Sequence, residues 1–260
     1  MCLRWFSKAF TAVLVVLFAS GCVTNMDSSA KIRVDERQAL EANIRLGMTY
    51  LQQNKREGAI RSFAKALEID KNSAEAYLGM ALIHQLNGEI KEAETNFKKA
   101  LKSRVDFSRA TIQFSYGRML FEQERYKDAL TQFEAAAADF AYQKRPDALV
   151  SVGRTSLALG DKVRARGAFE HALNLETRQA EASLELADLS FAERDYASAK
   201  KHLDQFSDAA RHTPRSLWLG IRIERIFGNK DKEASYALAL KNLYPYSQEY
   251  LDYKRFLEQN

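Results

Sequence analysis

Apolar residues recur along most of this chain at spacings of three and four rather than in alternation, which predicts amphipathic helices instead of strands. A longer rhythm lies on top of the helical one. Leu46-Gly47-x-x-Tyr50 is followed by Ala59, Phe63 and Ala66, and 34 residues later Met80-Ala81-x-x-His84 is followed by Ala93, Phe97 and Ala100. The pattern returns as Tyr116-Gly117, Ala129, Phe133 and Ala136, then as Val152-Gly153, Ala165, Phe169 and Ala172. A fifth copy has Leu186-Ala187, Ala199, Leu203 and Phe206, and a degraded sixth has Leu219-Gly220, a shifted Ala234 and Pro245. Units starting at 40, 74, 110, 146, 180 and 214 are separated by steps of 34, 36, 36, 34 and 34 residues.

Each unit has room for two helices and a turn. Gly or Ala at its eighth position and Ala at its twentieth let two helices approach closely, and the aromatic four residues further on shares the face of that Ala and fills the gap to the next unit. This arrangement resembles the tetratricopeptide repeat. The expected fold is all-α: a superhelical solenoid of about six such repeats over 40–247, closed by a capping helix over 248–260. In that last segment Tyr250, Tyr253, Phe256 and Leu257 form an apolar stripe, leaving Glu249, Asp252, Lys254 and Arg255 to face water. No unit buries its apolar face alone, so stability comes from stacking neighbours.

The first residues follow a different pattern. Arg4 and Lys8 precede an apolar run from Ala9 to Ala19, and Ala19, Ser20 and Gly21 lead into Cys22. The run is too short for a comfortable membrane span and has the size and flanks of a secretory signal over 1–21. Of the two cysteines, Cys2 falls inside that signal, so the mature chain keeps a single thiol at Cys22. One alternative is an ordinary signal peptide with an incidental cysteine. The other is an attachment point, because Ala19-Ser20-Gly21-Cys22 resembles a bacterial lipobox, with Ala where Leu is usual. That resemblance implies an acylated Cys22, palmitate included, and Val23 in place of Asp implies sorting to the outer membrane. More than one acyl chain makes such anchoring stable. Residues 22–39 then read as a lipidated polar tether, with 23–38 able to reach about 50 Å if extended.

Charge narrows the partners. Removing Arg4 and Lys8 from the 39 Lys and Arg leaves 37 against 34 Asp and Glu, too balanced for a dedicated nucleic-acid binder. Hydrophobic residues at 46% and charged residues at 28% suit a folded chain, and three prolines in 260 residues suit helices with short connections. His84, His171, His202 and His212 fall in different units, none at metal-ligand spacing, and no HExxH, phosphate loop or nucleophile elbow occurs. No catalytic residue, metal, small-molecule substrate or cofactor is expected, apart from covalent lipid on Cys22.

Function should therefore lie in binding. In this repeat family, positions five, nine and twelve of the first helix usually line a concave groove. Its apolar members here are Ile44, Met48, Leu51, Leu78, Leu82, Phe114, Phe121, Val150, Leu157, Leu184, Phe191 and Trp218, with Gln85, Arg118, Arg154, Asp188, Arg222 and Arg225 between them. The Lys and Asn that clamp a peptide carboxylate in some relatives are missing. The expected guest is an apolar helical or extended segment of another protein, unless residues 23–38 or an adjacent helix fills the groove. Leu78→Asp or Leu82→Asp is expected to abolish capture without unfolding the array.

Two stretches go beyond the generic repeat. "RSLWLGIRIERIFGNKDKEASYALALKNLYPYSQEY" at 215–250, with its "LGIR" and "LYP" elements, and "LELADLSFAERDYASAK" at 184–200 resemble the PilF/PilW pilotins, lipoproteins of type IV pilus biogenesis. The resemblance spans essentially the whole chain and departs from the family in Ala19 and a longer C-terminal tail. It implies a non-enzymatic protein at the periplasmic face of the outer membrane, which binds secretin subunits and promotes their localisation and multimerisation. The rival expectation is another periplasmic scaffold lipoprotein on the same repeats, serving barrel assembly or cell-wall synthase regulation.

Overall fold

A computed structural model describes residues 28–103 and 107–259 of the chain. All regular structure among them is helical. The chain divides into two compact units, Met1–Lys71 and Asn72–Asn260.

In the first unit, α1 (Ser28–Gln52) packs against α2 (Arg56–Ile69). Here α1 starts well before the first repeat. Residues 28–39, expected within an extended tether, are helical, so the 50 Å reach does not apply to them. The physical reason is composition: no Gly or Pro interrupts 28–46, and Arg, Glu, Gln and Ala favour helix there. Cys22 and the lipobox lie outside the described residues.

The second unit contains five helix pairs: α3 (Ala74–Leu86) with α4 (Ile90–Lys102), α5 (Arg109–Glu122) with α6 (Tyr126–Ala137), α7 (Arg145–Ala158) with α8 (Lys162–Leu175), α9 (Ala180–Ala192) with α10 (Tyr196–Ala209), and α11 (Pro214–Ile226) with α12 (Lys230–Leu243). The second helix of each pair also touches the first helix of the next, and α13 (Gln248–Glu258) packs on α11.

Local chemistry starts and turns these helices. Ser73, Ser108, Asp161, Asp195 and Ser247 cap helix N-termini with side-chain oxygens, and Thr213 forms a reciprocal capping box with Ser216 ahead of Pro214. The turn inside each pair contains one residue with positive φ: Asn54, Gly88, Glu124, Gly160, Arg194 and Gly228. The intervals between them are 34, 36, 36, 34 and 34 residues, the steps between the repeats.

Close approach within four of the six pairs depends on a missing side chain, while Ala81 and Ala187 hold that position in the α3/α4 and α9/α10 pairs. A Cβ built on Gly117 would lie 2.8 Å from the ring of Phe133, and Gly47 and Gly153 stand in the same relation to Phe63 and Phe169. Each contact joins residues sixteen apart. In the last pair Gly220 meets Tyr236, also sixteen apart, although the turn at Gly228 keeps the 34-residue step. The glycine and its aromatic have thus both slipped by one position, so the feature that matters in the sixth copy is Tyr236 and not a shifted Ala234. Between pairs, aromatics join neighbours: Phe97 stacks on Tyr116 with centroids 5.1 Å apart.

Candidate protein-binding groove

The fifth position of each first helix is decided by side-chain size. Ile44, Leu78, Val150 and Leu184 are buried there, Leu78 and Val150 with only 2% exposure. Leu78 packs with Phe97, Ile112 and Tyr116, Val150 with Ala182 and Leu186, and Leu184 with Leu219 and Ile223. These aliphatic chains end inside the seam between helices and line no groove, contrary to expectation. The larger Phe114 and Trp218 at the same position extend past the seam and are only half-buried. Leu78→Asp would therefore bury a carboxylate in a closed core and destabilise the fold, so it cannot serve as a surface probe.

Positions nine and twelve are more open. In the first unit Met48 and Leu51 are half-buried on α1. In the second unit Leu82 and Leu157 are half-buried against the neighbouring cores. Phe191 and Trp218 are covered by the chain itself. The Arg222 guanidinium lies 4.6 Å from the Phe191 ring and 5.2 Å from that of Trp218. The outer side of Trp218 meets Tyr253 and Phe256 of α13 at 6.1 Å and 5.7 Å, and Arg225 lies 4.4 Å over Phe256. The capping helix thus occupies the groove position of the last repeat. Its Leu257, expected in the apolar stripe, is 48% exposed.

Phe114 and Phe121 are the predicted residues that remain in an open cleft, with a volume of about 520 Å³. Phe114, Arg118, Phe121 and Glu122 come from α5, one stripe of a helix face. Phe133 of α6 lies behind them, Asp147, Ser151 and Arg154 come from α7, and Gln179 and Glu181 from the start of α9. The two open aromatics are braced from behind, Phe114 by Phe133 and Tyr142 and Phe121 by Tyr126. The sequence reading named Arg118 and Arg154 but missed the acidic side of the cleft. Asp147 and Glu181 sit at the second position of their repeats, and Glu122 follows Phe121 directly, so helical neighbours of positions five and nine were the available signal.

The polar walls are largely tied down. Glu122 accepts from Gln85 at 2.7 Å and Asp147 from Gln179 at 2.8 Å. Arg154 donates to Glu185 at 3.0 Å and lies 3.3 Å from Glu181. Arg215 donates to both oxygens of Glu185, at 3.1 and 2.8 Å, and pairs with Asp188 at 2.5 Å. Burial is the largest influence on the Glu185 carboxyl and pushes it up, but Arg215 and Arg154 together outweigh it and hold it below the usual range. Burial dominates at Asp188 and raises it. Arg118 is exposed, and no described residue gives it a hydrogen bond or an ion pair.

Comparison with known proteins agrees with this architecture. Tetratricopeptide-repeat profiles match residues 47–88, 72–141 and 117–183. The type IV pilus assembly protein PilF of Pseudomonas aeruginosa is 38% identical over 247 residues, covering 94% of this chain and 97% of that protein. The solved structure of P. aeruginosa PilF superposes with a TM-score of 0.78 over 85% of this chain and 99% of that one. PilW, described as a widely conserved type IV pilus biogenesis factor, is 24% identical with a TM-score of 0.69, covering 83% of this chain and 98% of its own, a likeness of fold. An uncharacterised Haemophilus influenzae protein is 27% identical over 150 residues, 58% of this chain and 80% of that one. Thirteen helices without a strand among the described residues, the recurring left-handed turn and this kinship place the chain in the tetratricopeptide-repeat family of type IV pilus biogenesis proteins that includes PilF.

Proposed function

We propose that this protein is a pilotin: an outer-membrane lipoprotein, anchored through acyl chains on Cys22, that holds secretin subunits of the pilus machinery and promotes their multimerisation. The observation that carries the reading is the 38% identity to PilF along 94% of the chain. The open aromatic cleft adds a surface suited to a polypeptide guest. No described helix is long and apolar enough to cross a membrane; the proposed address rests on the lipobox-like Ala19-Ser20-Gly21-Cys22. Tethering raises the local concentration of captured subunits near the bilayer and favours assembly without further contacts. The repeats act as scaffold and the chain carries out no chemical step.

The test is Cys22→Ser in the native host, with membranes fractionated and secretin multimers followed on heat-resistant gels. Multimers should fall and the protein should leave the outer-membrane fraction. Secretin assembly at normal levels would refute the escort role. Affinity capture from solubilised membranes separates the rivals, because recovery of barrel-assembly or cell-wall synthase components in place of secretin would assign the scaffold elsewhere.

A further inference from the structure

The last repeat shows what this surface does with a guest. There α13 delivers Phe256 against Trp218, and the Arg225 guanidinium stacks on the ring at 4.4 Å. The open cleft, whose aromatics lie on α5 three helix pairs upstream, offers the same two kinds of group in a different order: two braced rings, Phe114 and Phe121, and between them a guanidinium, Arg118, that no described residue engages. The covered and the open stretches follow one another along the first helices of consecutive repeats, joined by Arg222 on Phe191 and Trp218.

Charge selects the flanks of the guest. The cleft is lined by three carboxylates, Glu122, Asp147 and Glu181, against two guanidiniums, and Arg154 is already engaged by Glu181 and Glu185. Glu122 and Asp147 have neutral amides as partners. An incoming carboxylate would meet like charge one turn from Arg118, whereas a ring stacked under Arg118 leaves Glu122 and Asp147 to attract cations.

We propose that the cleft between α5, α7 and α9 captures an amphipathic segment of another protein through one aromatic side chain, seated on Phe114 and Phe121 and stacked by Arg118, with Lys or Arg beside it facing Glu122 and Asp147. This deepens the reading of the groove as a protein-binding surface and does not depend on the guest being a secretin. The segment of this chain that already has the required chemistry is α13 itself, where Lys254 and Arg255 precede Phe256.

The test uses the full chain and a fluorescein-labelled, N-acetylated and C-amidated peptide of residues 248–258, read by anisotropy. Saturable binding is expected, weakened roughly tenfold by Arg118→Ala or Phe121→Ala in the protein and by Phe256→Ala in the peptide. A peptide carrying Lys254→Glu and Arg255→Glu should bind more weakly, with the difference shrinking in high salt. Three results overturn the proposal: no saturable binding, tighter binding of the acidic peptide, or binding that survives Arg118→Ala and is lost with Trp218→Ala, which would mean exchange at the site of α13. Sedimentation of the free chain tests the remaining occupant, since self-association abolished by Arg118→Ala would assign the cleft to a second copy. Peptide binding as stated, combined with no secretin capture, would reject the pilotin reading alone.

Discussion

A Cβ on Gly153 would collide with Phe169, while one on Gly167, in the middle of α8, would meet nothing within 4 Å. The same substitution should therefore have opposite signs at two positions fourteen residues apart. Gly167→Ala is expected to stabilise by about 0.5–1 kcal/mol through helix propensity. Gly153→Ala is expected to destabilise by about 1–3 kcal/mol, because the ring must move out of a filled core. Urea denaturation of the two variants measures both, and a loss at Gly167 or a gain at Gly153 would contradict the packing described. The non-glycine residues Asn54, Glu124 and Arg194 accept the left-handed conformation of the turn at about 1–2 kcal/mol each. Repeat geometry outweighs residue preference at those places, so the turn was legible from spacing even where Gly is missing.

Between elements, ion pairs hold helices that packing has already brought together. Glu94 of α4 accepts from Arg125, which precedes α6, at 2.6 Å and from the Tyr116 hydroxyl of α5 at 3.0 Å. Arg125 first, then Lys98 and Tyr116, bring its carboxyl down to about 2 from 4.5, while burial and Glu94 push the Tyr116 hydroxyl up to about 12. A depressed carboxyl stabilises the fold above the unfolded value and loses that effect as pH falls through the folded one. Stability should thus decline between about pH 4.5 and 2, and Glu94→Gln should flatten that decline in urea midpoints measured across the window. At the other end of the second unit, α13 has no fully buried residue and docks through Tyr253 and Phe256. Phe256→Ala should release it, seen as a red shift of Trp218 emission with the remaining helices intact. An unchanged spectrum would mean that α13 is held by other contacts. The capping stripe was legible as an i, i+3 pattern, whereas its seat on Trp218 needed the folded chain.

For the molecule as a whole, stacked repeats divide stability among neighbours. Phe169→Ala, deleting a ring with 0% exposure, should cost about 3–5 kcal/mol and speed amide exchange in α7 to α10 more than in α3 and α4. Uniform acceleration across the second unit would show that it opens as one body. Helical class, repeat count and pilus kinship could all be read from the chain, because they rest on local periodicity and on residue types at fixed spacing. Openness of the groove could not. The pattern assigns Leu78, Val150 and Leu184 the same position as Phe114, yet side-chain volume sinks three of these under the next helix and leaves one at the surface. Nor does spacing reveal that Glu185 is clasped by Arg154 and Arg215 from the repeats on either side, or that α13 covers Trp218. A repeat register is a property of the chain from one residue to the next, whereas exposure is settled when side chains from distant segments compete for the same space.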